Sequence, residues 1–286
     1  MIFEEQLTAE QAKAIIKSGL GTEELKLATS FCAPLFWQVD DEGGVRVRNG
    51  TAFFIDAGEG VFAVTAWHVI DGYFTWREKR QAGRITLGGN GRTLPLEWQE
   101  RVIDAHAEID IATFRVTRAE IESLGKTVLT GSQKSWPPQK PTVNRGVYYC
   151  GYPQNGTRYL AAGAVQFGAV PGSGIATSVT PRYVSSLIER EHLIAQLGGG
   201  IPPENYNFGG ISGGPMLTVM EGALRTLTLA GVIYIGPSTS SDPNEAIPNF
   251  EIITARRAHF ILPNGTLDKK KWERIQLHGI DIFAED

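Results

Sequence analysis

Short apolar runs, separated by glycine or Asp-Gly turns, cover most of the chain before residue 117. They are rich in β-branched and aromatic residues, which favours strands over helices. Six such segments follow one another and predict a first all-β half: LATSFCAPLFWQV, VRVRNGTAFFID, VFAVTAW, RITL, LEWQERVID and DIATFRV. TRAEIESLG, at 117–125, predicts a short helix that closes this half.

A second all-β half follows a polar, proline-containing stretch at 130–146 that is typical of a linker. The strand pattern resumes in VYYCGYP, RYLAAGAVQFGAV, PMLTVM, RTLTLAGVIYIG and NFEIIT. One segment, YVSSLIEREHLIAQLGGG, breaks the pattern and could be a helix or an extended insertion. Because helices do not alternate with the strands, a parallel sheet with crossover helices is disfavoured.

Helical patterns lie at both ends of the chain. A capping box at Thr8–Gln11 begins a short amphipathic helix, AEQAKAIIKSG, which Gly19 is expected to stop. TARRAHFIL predicts a closing helix, and KKWERI a last helical turn or two.

Composition excludes several classes of function. The net charge of -4, with Lys269–Lys271 as the only basic run, argues against a nucleic-acid partner. No apolar run is long enough to span a bilayer, so we expect no membrane partner. The first residues lack a signal-peptide pattern, so we expect a cytoplasmic location. In that compartment Cys32 and Cys150 are expected to be reduced. Neither metal-ligand spacing nor a phosphate-binding glycine loop occurs, so no metal and no cofactor are expected.

A glycine-flanked serine is the main candidate for chemistry. Ser212 lies in NFGGISGGPML, where Gly210–Gly214 matches the G-x-S-x-G elbow of α/β-hydrolases, and Pro215 extends it to G-x-S-G-G-P. Glycines allow a sharp turn whose amides point inward, where they can stabilise the oxyanion of a tetrahedral intermediate.

A histidine and an acid complete the candidate set. His68 ends the apolar run VTAW just before an Asp-Gly turn, and Asp110, rather than its nearest rival Asp104, opens the buried strand DIATFRV. The order His68, Asp110, Ser212 is that of chymotrypsin, whereas α/β-hydrolases place the serine first. A hydrolase triad from Ser212, His278 and either Asp242 or Asp268 remains an alternative. The other histidines, at 106, 192 and 259, are without an obvious acid or lie among charged residues.

The chain resembles the trypsin-like, chymotrypsin-fold serine peptidases, of the bacterial, HtrA-like protease-domain type without a PDZ module. The resemblance spans residues 50–236 and rests on five motifs: GTAFFI at 50, VTAWHV at 64, DIA at 110, GISGGP at 210 and GVIYIG at 231. It implies a double six-stranded β-barrel with short N- and C-terminal helices and an active site between the barrels.

The resemblance also implies roles for individual residues. His68 would be the general base and then acid, Asp110 would orient it, and Ser212 would form the acyl-enzyme. Gly210 and Ser212 would supply the oxyanion-hole amides. Four further residues would contact a peptide substrate, with Gly236 pairing with its backbone: Tyr206, Tyr234, Ile235 and Gly236.

Four positions depart from the family pattern. Ile211 replaces the aspartate that pairs with a new N-terminus in the digestive members, so activation by cleavage is not expected. Trp67 stands where a small residue is usual, and Tyr234 where a serine often supports the acid. Tyr206, six residues before the nucleophile, gives no support for a preference for Arg or Lys.

The resulting division is 1–25 as a helical extension, 26–125 as the first barrel, 126–146 as the linker, 147–262 as the second barrel with its closing helix, and 263–286 as a tail. The expected function is a serine protease acting on a peptide or protein substrate. The alternatives are a non-catalytic peptide- or protein-binding module of the same fold and an α/β-hydrolase esterase. The insertion at 183–200, a regulatory partner protein or a larger assembly could restrain the activity.

Overall fold

A computed structural model describes residues 19–41, 44–79, 81–130, 136–160, 164–188, 202–203, 206–220, 226–236 and 251–278. The predicted helix AEQAKAIIKSG lies outside the described residues except for its last glycine, as does most of the insertion at 183–200. None of the helices in the described ranges is long and apolar enough to cross a membrane.

The first sheet is built from the strands before the linker. Its order is β5-β4-β1-β2-β3-β7-β6, antiparallel throughout, with β8 added in parallel to β2. The strands are β1 (Cys32–Asp41), β2 (Gly44–Asp56), β3 (Val61–Thr65), β4 (Thr86–Gly89), β5 (Arg92–Pro95), β6 (Val102–His106), β7 (Ile111–Arg115) and β8 (Leu129–Thr130).

The second sheet is also antiparallel and begins after the linker. A separate pair, β10 (Thr157–Tyr159) and β11 (Val165–Phe167), stands beside it. The sheet runs β12-β9-β15-β16-β17-β14-β13. Its strands are β9 (Gly146–Gly151), β12 (Val170–Ile175), β13 (Ser178–Val179), β14 (Tyr183–Leu187), β15 (Pro215–Met220), β16 (Thr226–Ile235) and β17 (Ile252–Arg257).

Five short α-helices connect or flank the sheets within the described residues. They are α1 (Leu20–Ser30), α2 (Trp67–Glu78), α3 (Trp98–Arg101), α4 (Arg118–Ser123) and α5 (Lys269–His278). The predicted fold class is therefore confirmed: the chain is all-β, with two successive antiparallel sheets and short helices towards both ends.

Three local predictions were wrong. LATS, predicted as the start of the first strand, lies in helix α1 instead, because TEELKLA is rich in good helix formers and buries Leu25 and Ala28. The Asp-Gly pair after His68 lies inside α2 rather than in a turn. TARRAHFIL is not a closing helix, because its first part pairs with β14 and β16 as strand β17 and a 3₁₀ turn, Ala258–Phe260, follows.

The hydrophobic core has three parts, and one is shared by the two sheets. Each sheet has its own cluster, centred on residues such as Phe54 in the first and Ile233 in the second. The shared cluster joins Phe53 to Leu217 and includes side chains from α1 and α5. Helices α1 and α5 therefore cover the junction between the two sheets.

Candidate active site

His68 and Asp110 are in direct contact. The His68 Nδ1 lies 2.8 Å from one carboxylate oxygen of Asp110, and the His68 backbone N–H donates to the other at 2.9 Å. His68 is the second residue of α2, whose N-cap residue, Ala66, makes no side-chain cap. The Asp110 carboxylate therefore both caps this helix and fixes the imidazole through Nδ1, which directs Nε2 away from the acid.

The backbone of Asp110 adopts an unusual conformation that sets the direction of its side chain. Its φ angle is 56°, in the left-handed region that aspartate tolerates better than most residues. The Asp110 amide donates to the His106 carbonyl at 2.9 Å, which closes a tight turn between β6 and β7. The acid thus comes from a turn of the first sheet, immediately before β7 rather than within it.

The Ser212 loop crosses from the second sheet to the first. Positive φ angles at Gly210 (101°) and Gly213 (87°) reverse the chain on either side of the serine. A Cβ at Gly213 would lie 2.1 Å from the Thr51 carbonyl and 3.0 Å from the Ala66 amide, so only glycine fits there. This close approach brings the loop to the start of α2, two residues before His68.

Thr51 fastens the Ser212 loop to the first sheet. Its amide donates to the Ser212 carbonyl at 2.9 Å, and its hydroxyl donates to the Gly210 carbonyl at 2.8 Å. The same hydroxyl accepts from the Tyr152 amide at 2.9 Å, and the Thr51 carbonyl accepts from Thr65 Oγ1 at 2.7 Å. No local sequence pattern predicts this role for Thr51, and only its place in the motif GTAFFI marks it.

Two amides of the loop are available for a ligand. Among the described residues, the backbone N–H groups of Gly210 and Ser212 donate no hydrogen bond, whereas that of Gly213 donates to the Ile233 carbonyl at 2.7 Å. The Ser212 hydroxyl is likewise without a hydrogen bond within these ranges, so it is not bonded to the His68–Asp110 pair.

Two of the four residues proposed to contact substrate, Tyr206 and Gly236, contact this loop. Tyr206 packs edge-on against Phe208, with ring centres 4.9 Å apart, and burial raises the pKa of its hydroxyl. Ile235, at the end of β16, is 49% exposed. A Cβ at Gly236 would lie 2.9 Å from the Ile211 side chain, so this glycine lies against the loop. Tyr234 turns instead towards the guanidinium of Arg256, 4.5 Å from its ring centre.

The rival acids have structural partners. Asp104 accepts from Lys269 Nζ at 2.7 Å and from the Leu267 amide at 3.0 Å. Partial burial of Asp104 opposes ionisation, but the bonds from Lys269 and from backbone amides outweigh it and lower the pKa of the carboxyl. Asp268 caps α5 by accepting from the Lys271 amide at 2.9 Å, whereas Asp242 lies outside the described residues.

Two of the remaining histidines, His259 and His106, have other contacts. His259 is buried, and this burial, followed by the charges of Arg257 and Lys271, lowers the pKa of its imidazole to about 2. His106 accepts from the Ile109 amide, at 3.2 Å, while His192 lies outside the described residues. Across the described part of the chain, no group of three or more His, Cys, Asp or Glu side chains could hold a metal ion.

No protein-family model matches the chain, and no curated protein matches it either. Among solved structures, it is similar to the thermostable serine protease AL20 from an extremophilic microorganism, with 13% identity, a TM-score of 0.44 and coverage of 86% of this chain and 95% of that one. It is similar to the active form of the Rv3671c protease from M. tuberculosis, with 14% identity, a TM-score of 0.43 and coverage of 84% and 82%.

The chain is also similar to the serine protease domain of the Sesbania mosaic virus polyprotein, with 13% identity, a TM-score of 0.39 and coverage of 82% of this chain and 99% of that one. The names of these structures agree with the resemblance that the motifs indicate. The likenesses are too distant to carry an argument about activity, which rests on the contacts of the chain's own residues.

Proposed function

We propose that the protein is a serine endopeptidase that hydrolyses peptide bonds through Ser212, His68 and Asp110. The observation that carries this proposal is that His68 is bonded to Asp110 and is also exposed to solvent. Its Nδ1 is held by Asp110 at 2.8 Å, yet its side chain remains 45% exposed. A neutral imidazole bonded through Nδ1 offers Nε2 as the base that a serine hydroxyl needs.

The chemistry follows from these positions. The Ser212 oxygen attacks the peptide carbonyl while its proton moves to His68 Nε2, and the new oxyanion accepts from the amides of Gly210 and Ser212. The imidazolium, stabilised by Asp110, gives this proton to the departing amine, which leaves an acyl-enzyme. Water then attacks the ester with His68 as base again, which releases the acid and restores the serine.

An extended peptide is the substrate that fits the loop. Within the described ranges, the backbone of Gly236 makes no hydrogen bond, so it can pair with a peptide as an added strand. Tyr206, half-buried against Phe208, contributes an aromatic and uncharged surface. This supports a preference for apolar over basic side chains at the cleavage site.

One observation favours a second candidate function, a non-catalytic peptide-binding module. The Ser212 hydroxyl is not hydrogen-bonded to any described residue, His68 included. Catalytic hydrogen bonds are often long without substrate and tighten only when it binds, so a catalytic serine can also lack this bond in the free protein.

Labelling of the purified protein by a fluorophosphonate probe separates the two candidates. We expect covalent labelling of wild type, and loss of at least about 10³-fold in labelling rate in both Ser212→Ala and His68→Ala. The control is Ser123→Ala, which removes a hydroxyl from α4 that donates only to the Glu120 carbonyl. Folded wild-type protein that is not labelled would contradict the proposal and favour the binding module.

A further inference from the structure

Arg256 is a buried cation at the junction of the two sheets. It lies on β17 and is only 7% exposed. Its guanidinium carbon lies 4.5 Å from the centre of the Tyr234 ring and 4.7 Å from that of the Trp272 ring, so the group packs on two aromatic rings. Burial lowers the pKa of Arg256, but a guanidinium remains charged in proteins, and such a charge needs strong partners.

The polar partners of Arg256 belong to the turn that carries Asp110. Its Nε donates to the Ile109 carbonyl at 2.8 Å, and one Nη lies 3.5 Å from the Glu108 carbonyl. These are the two residues immediately before Asp110, 147 and 148 positions away in sequence from Arg256. A side chain of the second sheet therefore holds the acid turn of the first.

Helix α5 binds the same turn through the side chain of Glu108. The Glu108 carboxylate accepts from Trp272 Nε1 and from Gln276 Nε2, both at 3.0 Å. These two bonds lower the pKa of the Glu108 carboxyl. Trp272 thus binds the turn with its edge while its face packs on Arg256.

We infer that Arg256 is a positioning residue for the acid: it fixes the turn at 108–110 so that Asp110 meets His68, and it sets a permanent positive charge near that carboxylate. This inference rests on the proposed function. It also explains Tyr234, which stands where the resembling family often has a serine that supports the acid. Here Tyr234 packs on Arg256, and the arginine supports the turn instead.

Other charged and titratable groups surround the guanidinium. Asp110 approaches from the β6–β7 turn and Tyr234 from β16, and Arg182 approaches from the loop before β14. Arg182 provides a matched control, because its guanidinium also lies over Trp272, at 5.5 Å, but donates to Ile275 and not to the acid turn.

The test compares Arg256→Met with Arg182→Met. The low-field proton resonance of His68 Nδ1–H reports its bond to Asp110 without requiring catalysis, and the fluorophosphonate labelling rate reports the active serine. In Arg256→Met we expect this resonance to be lost or shifted upfield and labelling to slow at least about tenfold, since misplacing a catalytic group is costly. In Arg182→Met both should stay close to wild type.

Arg256→Lys serves as a second variant, because it keeps the charge but cannot present the same planar fork. We expect an intermediate result, and it stands in for the methionine variant if that one fails to fold. A folded Arg256 variant with the wild-type resonance and labelling rate would overturn the inference. A wild-type protein that shows the resonance but is never labelled would contradict the proposed function. The resonance in the Arg256 variants would then still decide whether Arg256 positions Asp110.

Discussion

Thr51 is one residue that fixes the Ser212 loop at two positions, Gly210 and Ser212. It is fully buried, and its hydroxyl accepts from Tyr152 while donating to Gly210. Its amide meanwhile binds the Ser212 carbonyl. Gly210 and Ser212, whose amides bond to no described residue, are thus both fixed through their carbonyls by one threonine.

Replacing Thr51 by valine should therefore damage activity as well as stability. Valine keeps the shape but leaves the Gly210 carbonyl and the Tyr152 amide without a partner, which should lower the free energy of unfolding by about 1–3 kcal/mol. Because the loop then loses an anchor beside the oxyanion site, we expect fluorophosphonate labelling to slow about tenfold or more. Denaturant unfolding and labelling kinetics measure the two effects.

The control for this experiment is Thr113→Val. Thr113 is equally buried and donates to the Gly265 carbonyl at 2.6 Å, far from the Ser212 loop in sequence and in its contacts. It should lose similar stability but keep its labelling rate, and Thr51→Ser should resemble wild type. Equal labelling rates in Thr51→Val and Thr113→Val would show that the Thr51 hydroxyl has no special effect on the loop.

Sequence could predict single residues only where the chemistry requires a particular side chain. His68 and Asp110 stood out because an imidazole and a buried carboxylate need each other, and the structure places them in contact. Arg256 and Thr51 did not stand out. Their roles depend on partners about 100 to 160 residues away, which no local pattern reveals.

At the scale of elements, α5 is anchored to the first sheet at its start. Lys269 Nζ bonds to Asp104 of β6, and the same carboxylate accepts from the Leu267 amide just before the helix. The Asp104 side chain is 17% exposed and that of Lys269 43%, so solvent screens part of their attraction. This anchor sets where α5 begins, and Trp272 follows within one turn.

Asp104→Asn should loosen this helix in a pH-dependent way. The pKa of Asp104 is lowered by folding, so its contribution is present above the unfolded pKa of about 3.9 and is lost as the pH falls through the folded value. At pH 7 we expect a loss of about 1–2 kcal/mol, shrinking in acid. Hydrogen exchange of the α5 amides should also become faster.

Asp56→Asn is the matched control for the helix measurement. Asp56 pairs with Arg118 and is similarly shielded, at 19% exposure, but it does not touch α5. Its replacement should leave exchange in α5 unchanged. If Asp104→Asn also left α5 exchange unchanged at pH 7, the anchor would be unimportant for the helix.

Elements were easier to predict than their ends. Strands with strong β-branched and aromatic content, such as those at 61–65 and 111–115, occur as expected. The wrong predictions concern segments whose secondary structure depends on tertiary contacts. Asp110 caps α2 from another part of the chain, and β17 forms because two neighbouring strands pair with a segment of helical composition.

At the scale of the whole molecule, a buried neutral histidine limits stability in acid. His259 is 7% exposed, and the pKa of its imidazole is about 2 in the folded protein. An unfolded histidine takes up a proton near pH 6.5, so below that pH the unfolded state gains a proton that the folded state cannot. The contribution of His259 to stability is therefore greatest above pH 6.5 and falls as the solution becomes more acidic.

His259→Gln should weaken this pH dependence. Between pH 7 and pH 5 the wild-type protein should lose about 2 kcal/mol of unfolding free energy through this residue alone. The variant should show a correspondingly flatter profile, even if it is less stable at pH 7. Urea unfolding across this range is the measurement, with His106→Gln as control, and parallel profiles for wild type and His259→Gln would contradict the assignment.

The dependence of the acid turn on α5 has a consequence in time. A ribosome makes the chain from its amino end. It therefore adds Trp272 after Ser212, and 164 residues after Glu108. Until then the acid turn has no bond from Trp272 or Gln276, and Arg256 lacks its contact with the Trp272 ring. The acid turn of the proposed peptidase is therefore complete only after residue 276 has been added, which is well after its proposed nucleophile, Ser212, has been made.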